Sequence, residues 1–268
     1  FLKNLDAHAT GFIENARGLN AVIVPVYDEN KLRELTVAVR EKPFREIDVY
    51  ILEFFSEQVF IIMEKHALIS KLKGNYEKII QALAIAIDTK DHETHGHSMA
   101  TMTYAIRLAE KLGLPEKEKE KIRYASLLHD IGKINISSSI LNKPSSLTEE
   151  EFGIIKKHPK EGVGILNKLD IFEEILPIIL YHHEHFDGRG YPSQLKGEDI
   201  PLGARICSIA DAYSVMRSDR PYRKALTKDA AVNELKKCSG SQFDSKLVGK
   251  FLEIIEEENG APAGNQLN

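Results

Sequence analysis

Seven of the ten histidines fall between His92 and His183, in company with acidic residues, and only two cysteines compete as soft ligands. Imidazole is the commonest side-chain ligand of transition metals, and a carboxylate can bridge two ions through its two oxygens. The chemistry this composition points to is that of a histidine and carboxylate metal cluster. Five segments supply candidates. Glu93 and His97 are four apart, which on a helix stacks them on one face, with His92 and His95 close by. His129 and Asp130 adjoin at the end of an apolar run, Leu127-Leu-His129-Asp130-Ile-Gly-Lys133; neighbours on a helix diverge by about 100°, so both join one cluster only if the helix end points at it. His158 stands just before Pro159. His182 and His183 run into Glu184-His-Phe-Asp-Gly-Arg-Gly-Tyr-Pro192, a loop whose Gly188 and Gly190 permit positive φ or close backbone approach. Asp211 lies among small and apolar residues, where a carboxylate needs a partner to offset its burial.

The elements that must position these residues follow from composition and pattern. The chain has 268 residues, 43% hydrophobic and 28% charged, which suits a soluble globular protein of about two domains, or one with an extension. A net charge of −4 gives no global basic field, so a nucleic-acid polymer is not an expected partner. Cys207 and Cys238 are too few for a disulfide framework. The most apolar stretches, 59–63 and 175–181, are far shorter than the roughly 20 residues of a membrane span, and no signal peptide is visible. The chain starts at Phe1, so it is expected to be a fragment; a cytoplasmic location is the default expectation.

Two β-branched runs, 21–27 and 35–39, flank a polar turn and predict a hairpin. Everything after Pro43 reads as helix. The segment from Glu46 to Leu72 has the spacing of an amphipathic helix, serving as linker, dimer stalk or cover for its own sheet. Gly74 is expected to break it before a second helical run from Tyr76 to Thr89. Further on, Gly113 ends a helix, Pro115 opens the next, Thr148 and Glu151 form a capping-box pattern, and Asp244 caps a last helix reaching about Glu257. The tail is expected to be disordered.

In order, His97, His129-Asp130, His158, His182-His183 and Asp211 resemble the ligand series of the HD-GYP family, a subgroup of the HD-domain metallohydrolases. The strings His129-Asp130-Ile-Gly-Lys133 and His182 through Pro192 match its two named motifs, and the match runs from about Asp88 to Cys238. Residues 21–72 resemble, more weakly, the second half of a GAF sensor domain with its exit helix. The resemblance implies a mainly α protein: an all-α HD-type helical bundle over 74–258, joined by a long helix to a small α/β GAF-like portion over 1–73, with a disordered tail over 259–268.

It implies hydrolysis of the bacterial second messenger cyclic di-GMP at two or three divalent transition-metal ions, iron foremost and manganese as alternative. His97, His129, Asp130 and Asp211 would hold one ion, His158, His182 and His183 another, with Asp130 bridging. Many members carry an aromatic residue where Glu93 stands, and an arginine where Ala100 lies; the acid at 93 would serve a third ion. Metals lower the pKa of water, so hydroxide becomes available near neutral pH to attack phosphorus and release pGpG, GMP or both. Asp130 and Lys133 are the expected catalytic groups. Lys133, Arg220, Arg223 and Lys224 are the expected phosphate contacts, and Tyr191 would stack on guanine or pack its loop. The Gly-Tyr-Pro loop also serves partner proteins in the family, and the Glu46–Leu72 helix would support a homodimer. The alternatives are a non-catalytic nucleotide-binding sensor or scaffold, and an HD hydrolase acting on another cyclic dinucleotide or nucleotide.

Overall fold

A computed structural model describes residues 11–16, 19–28, 31–91, 96–219 and 224–260. The chain divides into two compact units, 1–76 and 77–268.

In the first unit, strands β1 (Gly11–Ala16), β2 (Leu19–Asp28) and β3 (Lys31–Arg40) form an antiparallel sheet in that order. The predicted hairpin is the β2–β3 pair, with Ala21 opposite Val39 and Ile23 opposite Val37. β1 was not anticipated; its sequence lacks the alternating apolar pattern that marks the other two. Val22 and Val24 point to one face, as the period of two requires, and bury against Val49, with Phe44 and Leu52 alongside. That contact seats the start of helix α1 (Glu46–Lys90) on its own sheet. Asp48 in its first turn accepts hydrogen bonds from Arg40 Nη2 (2.5 Å) and from Arg45 N (2.9 Å), an acidic side chain where the helix dipole favours one.

α1 is a single helix of 45 residues, so the expected break at Gly74 does not occur. A glycine inside a helix costs only about 1 kcal/mol relative to alanine, and nothing at Gly74 adds a proline, a cap or a crowded contact to that cost.

The second unit is helical: α2 (His97–Lys111), α3 (Glu116–Leu128), α4 (Ser138–Leu141), α5 (Glu149–Ile155), α6 (His158–Leu166), α7 (Leu176–Tyr181), α8 (Leu202–Arg217), α9 (Lys228–Lys237) and α10 (Ser245–Gly260), with a short 3-10 turn at Ile131–Asn135. α8 is its centre, packing on α2, α3, α7, α9 and α10. Its apolar residues are not confined to one stripe, as suits a helix surrounded by others, and Ala204, Ile206, Ile209 and Ala210 are fully buried. The predicted punctuation holds: Gly113 has φ +68 after α2, Thr148 and Glu151 form a reciprocal capping box, and Asp244 Oδ1 accepts from Lys246 N at 2.9 Å. α10 continues through Gly260, so residues 259–260 of the expected tail are helical, and 261–268 lie outside the described residues. Among the described residues no helix is long and apolar enough to cross a membrane.

Candidate metal centre

The last turn of a helix leaves carbonyl oxygens without intrahelical donors. Near the ends of α3, α5 and α7 a histidine supplies one. His129 Nδ1–H donates to Ser126 O at 2.8 Å, His158 Nδ1–H to Ile155 O at 2.8 Å, and His182 Nδ1–H to Ile179 O at 2.7 Å. A carbonyl can only accept, so the proton is fixed on Nδ1 and Nε2 is the ligand atom. At His97, the Ser214 hydroxyl donates to the histidine's own carbonyl at 3.3 Å and accepts from Nδ1–H at 3.0 Å, with the same result.

These Nε2 atoms converge on two carboxylates. His97 Nε2 lies 3.2 Å from Asp211 Oδ1, and His129 Nε2 lies 3.7 Å from the same oxygen. Asp130 turns Oδ2 toward His129 Nε2 and Oδ1 toward His158 Nε2, each at 3.2 Å. His158 and His182 approach through their Nε2 atoms at 3.4 Å, and the His182 and His183 rings lie 4.0 Å apart. Two groups result, each with candidate ligand atoms within 4.8 Å of one another: His97, His129 and Asp211, and Asp130, His158, His182 and His183. The partner demanded for Asp211 is thus the His97–His129 pair.

Burial and charge set the protonation of this cluster. Burial, then the neighbouring His158, pushes His183 down to about 3, and burial with nearby imidazoles pushes His182 well below its ordinary value; His158 is lowered by burial as well. These rings are neutral and offer lone pairs. At His129 burial opposes the charged form, but the Asp130 carboxylate together with Asp211 raises the imidazole well above its ordinary range. Asp130 is held well below the carboxylate range, its burial outweighed by the charges of His129 and Lys133. His129 Nε2 is buried beside Asp130 Oδ2 without hydrogen-bond geometry, an arrangement suited to a cation between them. Imidazoles and carboxylates without thiolate fit first-row divalent ions.

The cluster forms one wall of a cavity of about 630 Å³, within the range of small-molecule sites. Asp130, His158, His183 and Asp211 line it, as do Lys133 and Tyr191. Tyr191 stacks on the His183 ring at 4.9 Å. Lys133 Nζ lies 2.8 Å from Asp130 Oδ2. Lys224 is exposed and is not part of the lining; Arg220 and Arg223 lie outside the described residues, as do Glu93, His92 and His95. His97 opens α2 behind Gly96, whose φ of +98 is left-handed.

Several supporting residues were not singled out from sequence. Buried Asp88 accepts from Ser98 N (3.1 Å) and Ser98 Oγ (2.6 Å), securing the turn that carries His97. Buried Glu184 accepts from Ser193 N (2.6 Å) and Leu195 N (3.1 Å), tying down the loop that carries Tyr191. Gly190 fits because a Cβ there would lie 2.2 Å from His185 N. A burial signal could have marked Asp88, whose neighbours are apolar at helical spacing; Glu184 carried none.

A profile of the family described as HD domain matches residues 81–247. Curated relatives include the 3′3′-cGAMP-specific phosphodiesterase 2 of Vibrio cholerae, 35% identical over 86% of this chain and 44% of that protein. Another is a cyclic di-GMP phosphodiesterase of Thermotoga maritima, 34% identical over 87% of this chain and 64% of that protein. The chain therefore spans less than two thirds of either relative. Among solved structures, a cyclic GMP-AMP specific phosphodiesterase of V. cholerae matches with a TM-score of 0.54 at 23% identity, covering 68% of this chain and 49% of that one, a likeness of fold.

Proposed function

From the premise that this chain belongs to the HD-domain family, we propose that it is a metal-dependent phosphodiesterase that hydrolyses cyclic di-GMP to pGpG, GMP or both. The observation that carries this reading is Asp130, whose two oxygens face the two adjoining ligand groups. Two ions, iron or alternatively manganese, would be held by His97, His129, Asp130 and Asp211 and by His158, His182, His183 and Asp130; Glu93 would serve a third. Bound there, they supply Lewis acidity and a lowered water pKa. The chain's own residues do the rest. The helix-end carbonyls aim the imidazoles, Lys133 places a positive charge at the cavity wall where a phosphoryl oxygen gains negative charge, and Tyr191 closes the cavity beside His183. Arg220, Arg223 and Lys224, which follow α8 in the sequence, would add phosphate contacts.

The test is metal content and turnover on anaerobically purified protein, with Asp130→Ala as control. Two or three metals per chain with Asp130-dependent release of pGpG or GMP supports the proposal; a loaded site without turnover overturns it. The identity of a 3′3′-cGAMP-specific relative at 35% favours one second reading, in which that dinucleotide is the substrate. Parallel assays with both substrates separate the two.

The reading extends to signal transduction in the cytoplasm. Residues 1–73 would be a GAF-like sensor portion, and the Gly-Tyr-Pro loop a surface for a partner protein. Phe54, Phe55, Ile61, Ile62, Ile69 and Leu72 are all at least half exposed on α1, a seam suited to a homodimer. Light scattering of the wild type and of an Ile62→Glu, Ile69→Glu variant tests it: a dimer that dissociates supports it, a monomeric wild type refutes it.

A further inference from the structure

Among the described residues, two lysines line the cavity, Lys133 and Lys143. Lys133 belongs to the metal end, 2.8 Å from Asp130 Oδ2. Lys143 is held by a different element. Its ammonium donates to both oxygens of Glu151, at 2.8 and 2.6 Å. Glu151 is fixed in turn, since its carboxylate closes the α5 capping box by accepting from Thr148 N at 2.8 Å. The segment bearing Lys143 is anchored one residue earlier, where Asn142 Nδ2–H donates to the Lys90 carbonyl at 3.1 Å. Leu141, Pro144 and Leu147 give the same stretch of wall an apolar surface around the ammonium.

A lysine ammonium has three N–H donors. Glu151 takes two of them, and the Lys143 side chain is 27% exposed, so the third is left for a ligand in the cavity. Glu151 shares its own charge with the Thr148 amide, and the ammonium therefore keeps positive potential on its open side. Holding the four-carbon stem in one geometry also lowers the entropy lost when an anion arrives. A cyclic dinucleotide carries two phosphodiesters on one ring. With the scissile one at Asp130 and Lys133, the other is left to a different part of the wall, and Lys143 is the remaining lysine of the described lining. We propose that Lys143, oriented by Glu151, binds the second, non-scissile phosphate of the substrate. This rests on the phosphodiesterase reading of the same site.

The experiment uses metal-loaded protein and two ligands: cyclic di-GMP, and the linear dinucleoside monophosphate GpG, which has both guanines and one phosphodiester but no second phosphate. Lys143→Met keeps the apolar stem and removes the charge. It is expected to raise KM for cyclic di-GMP about 10- to 100-fold, the range for one lost hydrogen bond between charged groups, with kcat and metal content close to wild type. The inhibition constant of GpG should stay within about threefold of wild type, and Lys143→Arg should restore most of the KM. An unchanged KM for cyclic di-GMP overturns the proposal. An equal loss for both ligands overturns it too, because it would place Lys143 on a base or on the scissile phosphate, and metal loss in Lys143→Met would give the lysine a structural role instead. A wild type that neither binds nor hydrolyses a cyclic dinucleotide defeats the functional reading and the proposal together, whereas normal turnover with an indifferent Lys143→Met defeats the proposal alone.

Discussion

Gly132 approaches His158 so closely that a Cβ added at residue 132 would lie 2.0 Å from the His158 carbonyl oxygen and 2.6 Å from Gly162 N. Both neighbours are backbone and neither can swing away. Gly132→Ala must therefore separate the Lys133 turn from α6. The expected cost is about 1–3 kcal/mol in denaturant unfolding, together with weaker metal retention by the group containing His158. Wild-type values of both would show that the contact relaxes freely.

Asp130 connects the two ligand groups, so its loss should be felt in both. Asp130→Ala is expected to reduce metal content and to lower turnover by more than the roughly 100-fold that marks an outer-sphere partner. Metal analysis beside a turnover assay checks this. Retention of a full complement of metal would show that Asp130 is not shared.

Glu184 tests the loop. In Glu184→Ala the amides of Ser193 and Leu195 lose their acceptor, at an expected cost of about 1–3 kcal/mol. The loop bearing Tyr191 should become the first site of proteolytic cleavage. A thermal midpoint and cleavage pattern identical to wild type would contradict the anchoring role.

The candidate metal ligands are legible in the sequence because their residue types are chemically rare and their spacing is local: His129 beside Asp130, His182 beside His183. The helix punctuation was legible for a similar reason, since Thr148 and Glu151 act within one turn. What escaped reading depends on distant partners. Asp91 becomes meaningful only when it meets Lys133, 42 residues away, and Glu184 only when its loop folds back on it. Gly74 does not end α1, because one glycine's propensity cost of about 1 kcal/mol is small beside the long run of helix on either side. Asp211 is the intermediate case: its need for a partner was readable, and the identity of that partner, His97 with His129, was not.

Acidification tests the first unit. Arg45, through its side chain and then its backbone N–H, and then Arg40 hold the Asp48 carboxyl well below the ordinary carboxylate range. A folded pKa below the unfolded one contributes stability above about pH 4, and that contribution is lost as pH falls toward the folded value. Amide protection around the start of α1 should therefore weaken below about pH 4, and Asp48→Asn should remove that part of the pH dependence. An unaltered acid profile in Asp48→Asn would assign the loss to other groups.

Chelation should abolish turnover and leave the far-ultraviolet circular dichroism of the helices unchanged, because His129, His158 and His182 are held by carbonyls rather than by an ion. Helix loss on chelation would show that the ion organises the fold.

Those three carbonyl anchors also bear on which ion is accepted. Ligands hinged on flexible side chains close around whatever cation arrives, and affinity then follows the general order of the divalent series. Imidazoles fixed to helix ends cannot close in that way. They would give a bound ion a rigid aperture, so that discrimination among ions would fall to radius and preferred coordination geometry rather than to the ease with which ligands close.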